Sequence, residues 1–318
     1  MKECSVKETA DLLNRINSLV LTAHINSDGD ALGSVLGLGK ALEKAGKKVH
    51  LLIDDDIAPQ YMFLPGIEQI KKPEGITKAD MLVILDASDL ERIGRVADMV
   101  AVDCILNIDH HVSNAGIGDF RLLDVKAAAT CEMIFELLEA MSIEIDKDIA
   151  ICLYTGIATD CGFFRYGNTT AKTLCIASSL VNIGLRPDVI SDFLETQTVE
   201  NLYVLPKILD TLEFFLDGRI ASITIPHDLY TNNMDTESFI KYPRYIHGVE
   251  VALLFKGVTD DSTRVSMRSK TLDVSKVALE FGGGGHIKAS GCNINKGLVE
   301  AKDIIITALA KHLEVLEK

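Results

Sequence analysis

Apolar positions along this chain follow two alternating rhythms. Ser5-Val-Lys-Glu8 has the form of a capping box and opens a helix-periodic segment through Ile16. The short apolar run Leu19 to His24 predicts a buried strand. A Gly-containing loop then leads into Ala31 to Ala45, where Leu32, Val35, Leu36, Leu38 and Leu42 recur at helical spacing before Gly46. Lys48 to Ile53, Met81 to Leu85 and Ile105 to Ile108 predict further strands, the last two each leading into an acidic residue. Helices are predicted at about Thr130 to Met141, Asp146 to Asp160 and Thr170 to Val181, with Pro187 near the start of another. Strands alternating with helices imply an α/β fold built on a doubly wound, mainly parallel sheet. In such sheets ligands gather at the carboxyl ends of the strands.

At 318 residues the chain is long enough for two domains. The first is expected over 1–185 and is followed by a helical linker over 186–206. A second, smaller α/β domain is expected over 207–318, with strands at Arg219 to Ile225, Val249 to Phe255 and Thr263 to Met267 and a last helix from Leu298 to Leu316.

Composition narrows the function classes. Hydrophobic residues make up 47% and charged residues 25%, a globular profile. No stretch approaches the ~20 apolar residues needed to cross a bilayer, and Met1 to Leu13 lacks the apolar core of a secretory signal. A cytoplasmic protein with no membrane partner is expected. Seven scattered cysteines without a C-x-x-C pair argue against disulfides or a zinc ribbon; Cys161 draws interest because it follows an acidic candidate ligand. The net charge of −14 argues against binding long duplex DNA. Residues 1–204 carry −13 of it and residues 205–318 only −1, so the first part suits divalent cations and the second a phosphorylated ligand.

Candidate chemistry lies at the ends of predicted elements. His24-Ile-Asn-Ser-Asp28-Gly-Asp30 places an imidazole and two carboxylates in one loop, which is compatible with cation binding or with an Asx turn and a helix cap. Asp86 ends a strand. Asp109-His110-His111 ends another, where a hydrogen-bonded core pair is the plain alternative. Asp160 closes an apolar helix, where the helix dipole disfavours negative charge and a bound cation would remove the conflict. In the second domain, four glycines and a histidine, Gly282 to His286, can expose backbone N–H groups to a phosphate or form a simple turn. Arg264, Arg268, Lys270 and Lys276 crowd one stretch that could equally be a solvated face.

The order His-x-x-x-Asp-x-Asp, strand-end Asp, Asp-His-His and Thr-Asp-x-Gly resembles the four N-terminal motifs of the DHH phosphoesterase family. Val265 to Ser269, Asp273-Val-Ser275, Gly282 to His286 and Ala289-Ser-Gly291 resemble its DHHA1 domain. Family members often carry Pro at the place of Ser27 and Thr at that of Cys161, neither of them a ligand position. The resemblance implies one Mn²⁺ on His24, Asp28 and Asp86 and a second on Asp30, Asp86, His110 and Asp160, with Asp86 shared and Mg²⁺ or Co²⁺ as substitutes. It implies that Asp109 orients an imidazole and that His111 faces the scissile phosphate. Arg268, Ser269, Gly283, Gly284, Gly285 and His286 would hold another phosphate.

Relatives of this length resemble oligoribonucleases, linear dinucleotide phosphodiesterases and 3′-phosphoadenosine-5′-phosphate phosphatases, so short RNA or a dinucleotide such as pApA is the implied substrate. A phosphatase for mononucleotides or other small esters, and a nucleotide sensor without turnover, are the competing readings. A homodimer is left open.

Overall fold

The computed structural model describes residues 1–229 and 236–315, so Leu316, the expected end of the last helix, lies outside the described residues. The chain divides into two compact units, Met1–Thr196 and Gln197–Lys318.

The first unit holds β1 (Lys2–Glu3), α1 (Val6–Arg15), β2 (Ser18–Thr22), α2 (Gly29–Lys44), β3 (Lys48–Leu51), β4 (Met81–Leu85), β5 (Cys104–Asp109) and β6 (Phe120–Leu123). The helices α3 (Thr130–Ala140), α4 (Lys147–Asp160), α5 (Ala171–Asn182) and α6 (Pro187–Glu195) follow. These six strands form one sheet in the order β1-β6-β5-β4-β2-β3, parallel at every pairing, and Thr77–Lys78 pairs with Val100–Ala101 in a separate two-stranded parallel sheet. The capping box expected at Ser5 and Glu8 starts α1.

Strand alternation divides the sheet's side chains between two layers. Leu19, Leu21, Val83, Leu85, Leu106 and Ile108 pack against the helical layer, including Leu32, Leu36, Ile134 and Leu153. Val20, Leu82 and Ile84 face the other way, where Ile93 and Val96 cover them. That second cover comes from 3₁₀ turns within Glu91–Ala97, shorter than the helix a doubly wound sheet usually places there.

Within the helical layer, α2 and α4 approach closely because α2 presents glycine at every fourth position. A Cβ on Gly33 would lie 2.4 Å from the backbone oxygen of Cys152, and one on Gly37 would lie 2.8 Å from Leu153 Cδ2. Gly156 of α4 answers from the other side, where a Cβ would meet Cys131 Sγ at 2.3 Å and Asp30 Oδ1 at 2.8 Å.

The second unit begins with α7 (Val199–Leu209) and continues through β7 (Glu213–Phe215), β8 (Ile220–Ile225), β9 (Val251–Thr259), β10 (Ser262–Ser269), α8 (Val274–Glu280), β11 (Gly284–His286), β12 (Ala289–Ile294) and α9 (Leu298–Val315). Its sheet runs β11-β12-β10-β9-β8-β7, antiparallel except for β8 and β9. Val251, Phe255, Val265 and Met267 pack with Val277, Ile305 and Leu309 on one face; Ile223, Ile225 and Leu254 pack with Ile208 on the other. The span read as a linker is thus two helices, with Ile190 of α6 in the first unit's core and Ile208 of α7 in the second's. No single helix among the described residues is long and apolar enough to cross a membrane.

The Gly33 contact is with backbone, which cannot rotate away. Gly33→Ala is therefore expected to destabilise the protein by about 1–3 kcal/mol, the usual cost of overpacking, read as a lower urea midpoint at unchanged slope. A midpoint equal to wild type would mean that α2 and α4 can separate freely.

Candidate metal centre

The loop after β2 and the ends of β4, β5 and α4 bring His24, Asp28, Asp30, Asp86, His110 and Asp160 together at the carboxyl edge of the sheet. Each is aimed by its local backbone. Asp28 is the N-cap of α2, accepting from the N–H groups of Asp30 and Ala31, which suits a carboxylate at a positive helix end. Asp30 lies one residue inside the helix and is fully buried. Asp86 directly follows β4 in the left-handed region, at φ 55°. A non-glycine residue held there carries strain that its surroundings must offset.

Both histidines present the same nitrogen to the acids. His24 Nδ1 lies 2.8 Å from the carbonyl oxygen of Ile25 and His110 Nδ1 lies 3.1 Å from that of Ala127. A carbonyl only accepts, so each Nδ1 carries a proton and each Nε2 is directed at carboxylates. His24 Nε2 lies 3.5 Å from Asp86 Oδ2 and 3.9 Å from Asp28 Oδ1. His110 Nε2 lies 3.1 Å from Asp160 Oδ2, 3.6 Å from Asp86 Oδ1 and 3.7 Å from Asp30 Oδ2. Asp86 thus turns one oxygen to each histidine.

Charge is concentrated here beyond what burial tolerates. Burial, with the carboxylates of Asp86 and Asp160 nearby, pushes the Asp30 carboxyl well above its ordinary range. Burial also raises Asp160, against the opposing pull of His110. For His24, burial works toward the neutral ring, but the hydrogen bond it donates to Asp86 and the charge of Asp28 prevail and lift it to about 9. His110 is likewise raised, by Asp160, Asp86 and Asp30 against burial. Imidazole nitrogens backed by backbone carbonyls and facing oxygen ligands are the donor set of a divalent cation site. The residues therefore fit a metal on chemistry as well as on position.

Asp109 stands one step behind. Its Oδ1 accepts from the backbone N–H groups of His110 at 2.8 Å and His111 at 3.2 Å and lies 2.7 Å from His111 Nδ1. Asn114 Nδ2 donates to its Oδ2 at 2.6 Å and to Asn107 at 2.8 Å. Burial opposes ionisation, yet the bonds from His111 and Asn114 outweigh it and hold Asp109 below the usual carboxylate range. Asn107, Asn114 and Thr130 were not singled out by the sequence, because asparagine and threonine near strand and helix ends are ordinary turn and cap residues. Cys161 is fully buried and its thiol is pushed up to about 12 by burial, so it packs and does not react.

In the second unit, Arg268 of β10 and His286 of β11 both pair with Ala289 of the intervening β12. Directly paired residues point to one face, so Arg268 and His286 leave the sheet on the same side as the Ala289 methyl group, and Arg268 Nη1 donates to the Met267 carbonyl at 3.1 Å. Ser266, Gly291 and Gly284 form the next row on that face, leaving a floor of small residues beside two cationic or donating side chains.

Two expected phosphate ligands are otherwise engaged. Ser269 lies on the opposite face of β10 from Arg268, is buried, and donates its hydroxyl to the Leu272 carbonyl. The Gly283 N–H donates to Ala278 at 2.9 Å, at the end of α8. The glycine run is also less open than expected: Gly284 and Gly285 belong to the edge strand, and a Cβ on Gly283 would meet the Gly291 oxygen at 2.2 Å.

Comparison with known proteins fits this geometry. Residues 18–157 match the profile of the DHH family, N-terminal domain, and residues 218–314 match the DHHA1 domain. The bifunctional oligoribonuclease and PAP phosphatase NrnA of Thermus thermophilus is 31% identical over 310 residues, covering 96% of this chain and 93% of that protein. The chain belongs to the DHH–DHHA1 phosphoesterase family. Among solved structures, this family member resembles an exopolyphosphatase-related protein from Bacteroides fragilis, with a TM-score of 0.87 at 26% identity over 98% of this chain and 97% of that one. RecJ of Thermus thermophilus, crystallised with Mn²⁺, shares the fold at a TM-score of 0.53 and 13% identity, over 96% of this chain and 55% of RecJ.

The histidine protons carry a consequence for cation binding. A cation must displace the proton from His24 Nε2, so the affinity of the metal-stripped DHH–DHHA1 protein for Mn²⁺ is expected to rise with pH until about 9, the level to which His24 is lifted. An unperturbed histidine would level off near ~6.5. Calorimetry in buffers of different ionisation enthalpy is expected to register net proton release at neutral pH. Affinity that stays flat above neutrality would contradict a protonated His24.

Proposed function

We propose that this protein is a two-cation phosphoesterase that hydrolyses short oligoribonucleotides and linear dinucleotides such as pApA to mononucleotides, and 3′-phosphoadenosine-5′-phosphate to AMP. The observation that carries this reading is the pair of oxygens on Asp86, one facing His24 and Asp28, the other facing His110 with Asp30 and Asp160. His24, Asp28 and Asp86 would hold one Mn²⁺, and Asp30, Asp86, His110 and Asp160 a second, with Mg²⁺ or Co²⁺ as substitutes. Bound there, the cations supply Lewis-acid activation of water and charge neutralisation for an in-line displacement at phosphorus. The names of relatives support the substrate class: the Thermus thermophilus protein is called a bifunctional oligoribonuclease and PAP phosphatase.

The chain's own residues divide the remaining work. Asp109 keeps the His111 proton on Nδ1, leaving Nε2 to meet the scissile phosphate and exchange a proton there. Arg268 and His286, with the backbone of Gly284 and Gly285, would hold a second phosphate of the substrate through charge-assisted hydrogen bonds. Such remote contacts contribute to the chemical step when they position the reacting group.

Chelation is expected to abolish turnover of pApA and added Mn²⁺ to restore it; full activity in a metal-free preparation would sink the two-cation reading. Asp86→Ala is expected to lower Mn²⁺ occupancy and turnover together.

Arg268→Ala, alone or with His286→Ala, is expected to reduce kcat/KM for pApA by ~10-fold or more, the scale of one lost charge-assisted hydrogen bond. Bis-p-nitrophenyl phosphate has no second phosphate and should lose far less. Equal losses on both substrates would refute this division of labour.

A further inference from the structure

Helix α3 begins without a cap of its own. Its N-cap residue is Ala129, which offers no side-chain acceptor. The place is taken by Asp30 of α2: Thr130 N–H donates to Asp30 Oδ2 at 2.6 Å and Cys131 N–H donates to Asp30 Oδ1 at 2.9 Å. The same Thr130 donates its hydroxyl to Asp86 Oδ1 at 3.1 Å. That is closer to the Asp86 carboxylate than His24, His110 or His111, which stand at 3.5, 3.6 and 3.6 Å. Thr130 itself is fully buried.

We propose that Thr130 is a positioning residue for the cation centre, holding the Asp86 carboxylate in the rotation that turns one oxygen to each histidine while its backbone holds Asp30. A carboxylate at the end of a strand can rotate about its last bond. If Asp86 turned, neither oxygen would face its histidine, and both ligand sets would lose a member at once. A buried hydroxyl donating to one oxygen stops that rotation. Because the same residue's N–H fixes Asp30, the start of α3 sets the relative placement of two carboxylates carried on different elements. Such supporting partners typically govern cation affinity by ~10–100-fold.

This inference rests on the two-cation reading, and its test separates the two. Mn²⁺ binding to the metal-stripped full chain is measured by calorimetry for wild type, Thr130→Val, which keeps the shape and removes the donor, and Thr130→Ser, which keeps the donor. The valine variant is expected to bind Mn²⁺ at least ~10-fold more weakly and to lose kcat more than KM on pApA, with the serine variant close to wild type in both. Valine binding equal to wild type overturns the proposal. So does a serine variant as weak as valine, which would mean that the methyl group packs and the hydroxyl does nothing. Should the valine variant not fold, Thr130→Cys, with a poorer donor of similar size, is expected to weaken binding in the same sense, and unaltered binding overturns the proposal. Wild-type protein that binds no divalent cation removes the two-cation reading itself.

Discussion

Everything around the sheet's carboxyl edge answers to one constraint: buried Asp30 and Asp86 and partly buried Asp160 are gathered around His110, with Asp28 at the rim. Like charges at this separation in a poorly solvated site cannot all remain ionised without compensation. The protein supplies part of it from its own parts. The starts of α2 and α3 put backbone N–H groups on Asp28 and Asp30, and two imidazoles face the remaining oxygens. What is left over is the condition that a divalent cation relieves, and the raised levels of His24 and His110 express it.

Holding such a cluster requires rigid spacing between elements that lie far apart in the chain. Asp30 rides on the first turn of α2 and Asp160 on the last residue of α4. The glycines between these helices bring their backbones together, so the separation of the two carboxylates is set by main-chain contact. Flexible side chains in that seam would let the distance vary; glycine removes the freedom. The strands contribute in the same way, since β2, β4 and β5 are neighbours in one parallel sheet and deliver His24, Asp86 and His110 to one side.

Much of this was legible in the sequence because both periodicity and end residues are local signals. Ser5 and Glu8 announced α1, the run Val83-Ile84-Leu85 announced a central strand, and the acidic or imidazole residues just beyond three strands gave the site's location. What escaped was set by tertiary contact. The capping of α3 by Asp30 spans 100 residues, and nothing near Thr130 betrays it. The sequence of the glycine run at Gly282 to Gly285 allows a phosphate cradle or a turn; in the structure part of it is an edge strand, and Gly285 there is required by the closeness of β12. Ser269 and Arg268 share a motif but not a surface, because neighbours along a strand point to opposite faces. The 3₁₀ turns that cover the sheet's second face carry too few residues for a periodic signal.

Of the seven non-glycine residues with left-handed angles among the described residues, four lie around the charge cluster, and Ser142, Leu216 and Asp217 lie elsewhere. Asn26 in the loop after β2, Asp86 after β4, and the consecutive Gly162, Phe163 and Phe164 after Asp160 all adopt left-handed angles between 54° and 62°. Left-handed residues normally occur singly, and each non-glycine case costs on the order of 1–3 kcal/mol. Asn26 and Asp86 lie at the carboxyl ends of strands, and the run at 162–164 lies at the end of a helix whose last residue is an acid. At each of these places the chain turns beside a carboxylate or imidazole of the cluster. The region therefore combines strain with repulsion, both held by the apolar packing of Leu21, Val83, Leu106 and Ile157 beneath it. A ligand that attracts all the carboxylates at once favours the arrangement the backbone already holds, so binding there strengthens the fold at the point where the chain alone is least consistent with itself.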